Sequence, residues 1–118
     1  MTLADLRDYC LAKPHATEDL PFGPDVLVFR VGGKMFALTN VEEVETRVNL
    51  KCEPERAVDL RDRYAAVQPG YHMNKRHWNT VALAGDAPAA LVRALVDDSY
   101  ALVAASLPRR DRERLGLA

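Results

Sequence analysis

The stretch DVLVFRVGGKMFALTN, Asp25 to Asn40, constrains the fold more than any other part of the chain. Two runs rich in β-branched and aromatic residues flank Gly32-Gly33. Glycines supply the positive φ that a two-residue hairpin turn needs to follow the twist of its strands. A hairpin is therefore expected, with Phe29 opposite Phe36 and Leu27 opposite Leu38 on the core face. Val26, Val28, Met35 and Ala37 would then lie on the other face.

The rest of the chain supplies a third strand and the cover of the sheet. ETRVNLKC alternates strictly, placing Val48, Leu50 and Cys52 inward and Arg47, Asn49 and Lys51 toward water. At the N-terminus, Thr2 with Asp5 three residues on reads as a helix cap, followed by Leu3, Leu6 and Cys10 at helical spacing. Pro14 ends that helix. KPHATEDLPFGPD, with three prolines and a glycine, reads as an ordered loop held down by Phe22. Pro54 opens a second helix with Ala57, Leu60 and Tyr64 on one stripe, and Gln68-Pro69-Gly70 breaks it. WNTVAL reads as a strand and Gly85-Asp86 as a turn. In the long C-terminal helix, Leu91, Val92, Leu95, Val96, Ser99, Leu102 and Val103 form one broad arc, and the charged tail beyond is expected to fray. The fold class implied is α+β over a single domain, residues 1–118. It is a two-layer sandwich with an antiparallel sheet of about five strands, helices on one face, an N-terminal helix and a long C-terminal helix.

Composition narrows the function classes. The formal net charge is −1, a poor match to a broad basic nucleic-acid surface. The charge is uneven, however. Residues 1–60 hold 7 Lys/Arg against 11 Asp/Glu, and residues 61–118 hold 9 against 6. An anion-binding face must therefore be local, and the bland alternative is that charges merely solvate opposite surfaces. No apolar run approaches the ~18 residues of a membrane span, and no leader pattern is visible, so a cytoplasmic location is expected. Cys10 and Cys52 are both phased inward and read as two reduced core thiols.

Chemistry-bearing residues concentrate in YHMNKRHWNTV, Tyr71 to Val81. His72 and His77 bracket a tight segment, but His15 is remote and neither cysteine is near, so no metal site is expected. The inward thiols do not suit nucleophilic catalysis, and the carboxylate pairs Glu18-Asp19, Glu42-Glu43 and Asp97-Asp98 read as solvated faces. Gly32-Gly33 lacks the Lys-Ser/Thr and helix of a phosphate loop. No catalytic residue, cofactor or small-molecule substrate is expected. Binding has more support. Arg47, Asn49 and Lys51 would share the free sheet face, with Asn74, Lys75 and Arg76 at the solvent-facing tip of the connection, while Trp78 and one His knit that connection to the core. The same residues also suit an ordinary hairpin tip, so nucleic-acid binding, protein interaction and a purely structural role all stay open.

LPFGPDVLVFRVGGKMFAL, VNLKCEPERAVDLRDRY and PGYHMNKRHWNTVAL, followed by a helix with DDSY, resemble the MmcQ/YjbR-like family of small bacterial proteins. The resemblance spans essentially the whole chain, and its most specific element is His72-Met73-Asn74-Lys75 with His77-Trp78 and Thr80-Val81. It implies a two-layer α+β sandwich likened to frataxin-like proteins and secretion chaperones. It also implies DNA binding, by likeness to a "double wing" domain whose sheet surface and loops face the duplex. Carried onto this chain, the implied DNA contacts are Arg47, Asn49, Lys51, Asn74, Lys75, Arg76, His77 and Trp78. The frataxin likeness would ask for an acidic iron-holding helix, for which Asp5 and Asp8 are too thin a cluster. The chaperone likeness implies instead a protein partner or a second copy, seated on an apolar patch around Val26, Val28, Met35 and Ala37.

Overall fold

Helix α1 (Leu3–Leu11) begins as its sequence directs. Thr2 Oγ1 accepts the Asp5 amide at 3.1 Å, and Asp5 Oδ2 accepts the Thr2 amide at 2.9 Å, so each residue satisfies an orphan donor of the other. The computed structural model describes residues 1–117. After α1 come β1 (Thr17–Asp19), β2 (Val26–Val31), β3 (Lys34–Asn40), β4 (Arg47–Lys51), α2 (Pro54–Arg63), β5 (Val67–Pro69), β6 (Trp78–Ala82), α3 (Ala89–Ala105) and α4 (Arg109–Leu115). The strands form one antiparallel sheet in the order β1-β2-β3-β4-β6-β5. The architecture is α+β, as expected, with six strands rather than about five. The two edge strands, β1 and β5, are three residues each, too short to show alternation in sequence. One of them, β1, lies in the proline-rich segment read as loop, and β5 carries Pro69 where an edge tolerates a missing donor.

The Gly32-Gly33 turn forms with Val31 opposite Lys34, and φ is +57° and +83° at the two glycines. One position further, the register shifts. A bulge between Phe29 and Arg30 sets Phe29 against Ala37 and Leu27 against Thr39, with Phe36 as the extra residue. The expected pairs Phe29–Phe36 and Leu27–Leu38 are therefore not opposed. Ala37 moves to the helix-covered face, and Leu38, paired with Val28 and Asn49, moves to the other. Phe29 and Phe36 still pack side by side, with ring centroids 6.4 Å apart, and Tyr100 meets Phe36 edge-on at 5.3 Å.

α1, α2 and α3 all bury their stripes on one face. Leu6, Cys10, Ala57, Leu60, Val92, Leu95, Val96 and Val103 join Phe29, Val31, Phe36, Ala37, Val48, Leu50, Val67 and Val81 in one core. Tyr9 Oη donates to Asp97 at 2.7 Å and Tyr100 Oη donates to the Pro14 carbonyl at 2.6 Å, which ties α1 and its exit to α3. The tail expected to fray forms α4 instead, closed by Gly116 in the left-handed region. Leu107, just before it, packs onto the hairpin turn. A Cβ at Gly32 would lie 2.6 Å from Leu107 Cδ1, at a φ that L-residues avoid. Gly32→Ala is expected to cost about 1–2 kcal/mol in urea unfolding, whereas at Gly33 the added methyl meets nothing within 4 Å and only the backbone strain remains.

Candidate functional site

The face of the sheet away from the helices carries Val26, Val28, Arg30, Met35, Leu38, Arg47, Asn49, Lys51, Trp78 and Thr80, as the strand register dictates. Loops cover much of it. Val28 is fully buried and Asn49 is only 8% exposed. The cover leaves a pocket of ≈ 460 Å³, floored by Val26, Met35, Leu38, Asn49 and Thr80. Phe22 stands on one side, Tyr71, His72 and Met73 on the other, with Asn40, Glu43 and Arg47 completing the wall. Phe22, expected to hold its loop down on the body, is 62% exposed at this rim.

The connection from Gly70 to His77 is built from local bonds. Asn74 Oδ1 accepts the Arg76 amide at 3.0 Å, the Asn74 carbonyl accepts the Trp78 amide at 2.9 Å, and His72 takes a left-handed φ of 58°. Lys75 Nζ donates to the Gly70 carbonyl at 3.1 Å. Arg61 of α2 supports the loop from below, its Nη1 donating to the Lys75 carbonyl at 2.9 Å and to Asn79 Oδ1 at 3.2 Å. Gly70 is needed here because a Cβ would come within 2.9 Å of Trp78 Cβ and of the Trp78 carbonyl.

The eight residues singled out in the sequence divide into two groups. Arg47 and Asn49 belong to the pocket. Arg47 is paired with Glu43 at 2.9 Å and lies 5.7 Å from the Tyr71 ring centroid. Thr80 Oγ1 accepts the Tyr71 amide at 3.0 Å and donates to Asn49 Oδ1. Lys51, Asn74, Lys75, Arg76, His77 and Trp78 belong to one end of the sheet, where Lys51 is opposite Trp78 and the His77 carbonyl accepts the Cys52 amide at 2.8 Å. Asn74, Lys75 and Arg76 are exposed and His77 half-buried. Trp78, expected to knit the connection into the core, stays half-buried on the face opposite the helices, because the β6 register places Asn79 and Val81 inward.

Ion pairing divides the Lys and Arg side chains in two. Among the described residues, eight Lys and Arg side chains make ion pairs: Arg7, Lys13, Arg30, Arg47, Arg56, Arg63, Arg109 and Arg114. The other eight do not, and four of these, Lys51, Arg61, Lys75 and Arg76, gather at one end of the sheet, while Lys34, Arg93, Arg110 and Arg112 lie elsewhere. Composition showed that a basic patch had to be local, but Arg61 lies on a helix face distant in sequence, and only the tertiary fold brings it to Lys75. The pocket was missed for the same reason, since Tyr71 and Phe22 meet across it from loops far apart in the chain. No group of three or more His, Cys, Asp or Glu able to hold a metal occurs among the described residues, and Asp5 is engaged in capping α1.

The family model for YjbR matches residues 11–102. The chain belongs to the YjbR family. It is 39% identical over 117 residues to the uncharacterized protein YjbR of Escherichia coli K12, covering 98% of both chains, and 40% identical over 95 residues to YbdF of Escherichia coli O157:H7, covering 80% of this chain and 78% of that one. The crystal structure of Deinococcus radiodurans protein DR2400 superposes with a TM-score of 0.93 at 41% identity over 99% of this chain and 89% of that one. A Pseudomonas syringae protein superposes with a TM-score of 0.77 at 32% identity over 87% of this chain and 99% of that one. These likenesses give the family and the fold. The family's relatives named here carry no stated activity.

Proposed function

We propose that this YjbR-family chain is a nucleic-acid-binding protein, without catalytic activity of its own, whose contact surface is the Gly70–Trp78 connection and the adjoining end of the sheet. The observation that carries this reading is the placing together of Lys51, Arg61, Lys75 and Arg76, four of the eight Lys and Arg that have no carboxylate partner among the described residues, at that end of the sheet. Unpaired cations give up no existing ion pair when they meet phosphate, and each phosphate contact releases condensed counterions. Asn74 and Trp78 beside them add a hydrogen-bonding amide and a partly accessible ring. The small number of cations means modest affinity and strong salt dependence. A DNA partner also agrees with the cytoplasmic location expected for the chain, in which no helix among the described residues is long and apolar enough to cross a membrane.

Fluorescence anisotropy with labelled duplex and single-stranded DNA tests the reading. Binding at about 50 mM salt should weaken at least tenfold by about 200 mM. Lys75→Ala/Arg76→Ala, both at exposed positions, should weaken it by roughly tenfold more with no change in Tm. Absence of binding at the lower salt would remove nucleic acid from consideration. A second reading, association with a protein or a second copy, is favoured by Phe22 and Tyr71 (58% exposed) at the rim of the pocket. Of the patch expected around Val26, Val28, Met35 and Ala37, Val28 and Ala37 are buried, and Val26 and Met35 lie on the pocket floor. Sedimentation of the chain alone and with Phe22→Ser would show whether that rim makes a dimer.

A further inference from the structure

We infer that the pocket under Tyr71–Met73 receives one unstacked base of a bound single strand, a proposal that rests on the nucleic-acid reading and names the strand form and the base-contacting residues. Asn49 carries it. The side chain is 8% exposed, lies on the pocket floor, and has its Oδ1 bonded by Thr80. Among the described residues its Nδ2 has no hydrogen-bond partner. Turning the amide over would free the other atom instead, so one polar end of Asn49 faces the pocket in either orientation. That end is reached by solvent through the pocket and pays no burial penalty, so an occupant can take the place of water as its partner.

The surroundings select the occupant. Met35, Leu38 and Met73 offer apolar surface and Tyr71 an aromatic ring at the mouth, which suits the flat face of a base. Arg47, the cation of the wall, is already neutralised by Glu43, so the interior favours a neutral group over a phosphate. Lys75 and Arg76, exposed and without carboxylate partners, follow Tyr71–Met73 in the same loop, Lys75 with its Nζ on the Gly70 carbonyl, and would supply cations for the phosphates next to the inserted base. The volume, ≈ 460 Å³, is ample for one base. A base held in a duplex stack cannot enter a walled pocket, so the site requires a single strand or a flipped nucleotide. Asn49 Nδ2 would donate to a carbonyl on the base edge.

The test compares labelled oligothymidylate of about twelve nucleotides with an abasic strand of equal length and backbone charge. Wild type should bind oligothymidylate about tenfold tighter than the abasic strand, and Tyr71→Ala and Asn49→Leu should bring it down to the abasic level. Tyr71 is mostly exposed, so its variant keeps the test decisive if Asn49→Leu fails to fold. Equal, salt-sensitive binding of both strands overturns the base pocket and leaves the nucleic-acid reading intact. Should neither strand bind, that reading fails, and thymidine titrated against ¹⁵N-labelled protein decides the pocket. A saturable shift of the Asn49 side-chain amide supports a nucleobase site, and no shift overturns it.

Discussion

Ser99→Ala is expected to lower the stability of the fold by about 2–4 kcal/mol, because one buried hydroxyl bonds two backbone groups at once. Ala37 and Leu50 are opposed across β3 and β4, so Phe36 and Lys51 would be the next pair in the ladder. The bulge at Phe36 interrupts that pairing. Ser99 Oγ, fully buried on α3, bridges the gap, accepting the Lys51 amide at 2.8 Å and donating to the Phe36 carbonyl at 2.6 Å. Removing it takes a bond from a donor and an acceptor at the junction of three elements, a drop in Tm on the order of 10 °C for a chain of this size. A loss under about 0.5 kcal/mol, the range of an ordinary surface substitution, would show that water or a shifted strand replaces the hydroxyl.

The second large effect is alkaline. Cys10 is fully buried between α1 and the sheet, and burial pushes its thiol from 9.0 up to about 12, with Lys13 opposing the shift. The unfolded chain releases this proton first, so above pH 9 the native state binds more protons than the unfolded state and stability falls as pH rises. The contribution is fully present below pH 9 and declines through the window up to about 12, reaching about 4 kcal/mol. Cys52 shifts in the same direction, also by burial. Urea midpoints measured from pH 8 upward should fall steeply in wild type and less steeply in Cys10→Ala. Equal alkaline slopes in the two proteins would remove Cys10 as the cause.

Much of the fold was legible in local sequence because its signals are local. Gly32-Gly33 fixes a turn, Thr2 with Asp5 fixes a cap, and strict alternation in ETRVNLKC fixes which side of β4 faces the helices. The bulge was not legible, since MFAL is apolar throughout and an extra residue leaves no mark on a pattern without alternation. Its consequence is large, exchanging Ala37 and Leu38 between faces. The site was half legible. The connection stands out by composition, and Asn74, Lys75 and Arg76 are solvent-facing as read. What the sequence could not show is depth. Arg47 and Asn49 alternate onto the free face as expected, but Tyr71 and Phe22, from two separate loops, turn that face into a pocket, and Glu43 removes the charge of Arg47. Contacts between distant loops carry no periodicity for a single sequence to display.

The most direct test of the account is ¹H-¹⁵N chemical-shift mapping of the chain during titration with a single-stranded oligonucleotide at low salt. Shifts are expected to concentrate at Lys51, Tyr71 to Trp78 and the Asn49 side chain, with α1 and α4 unmoved. Shifts centred on the arginines of α4, or none at all, would contradict it.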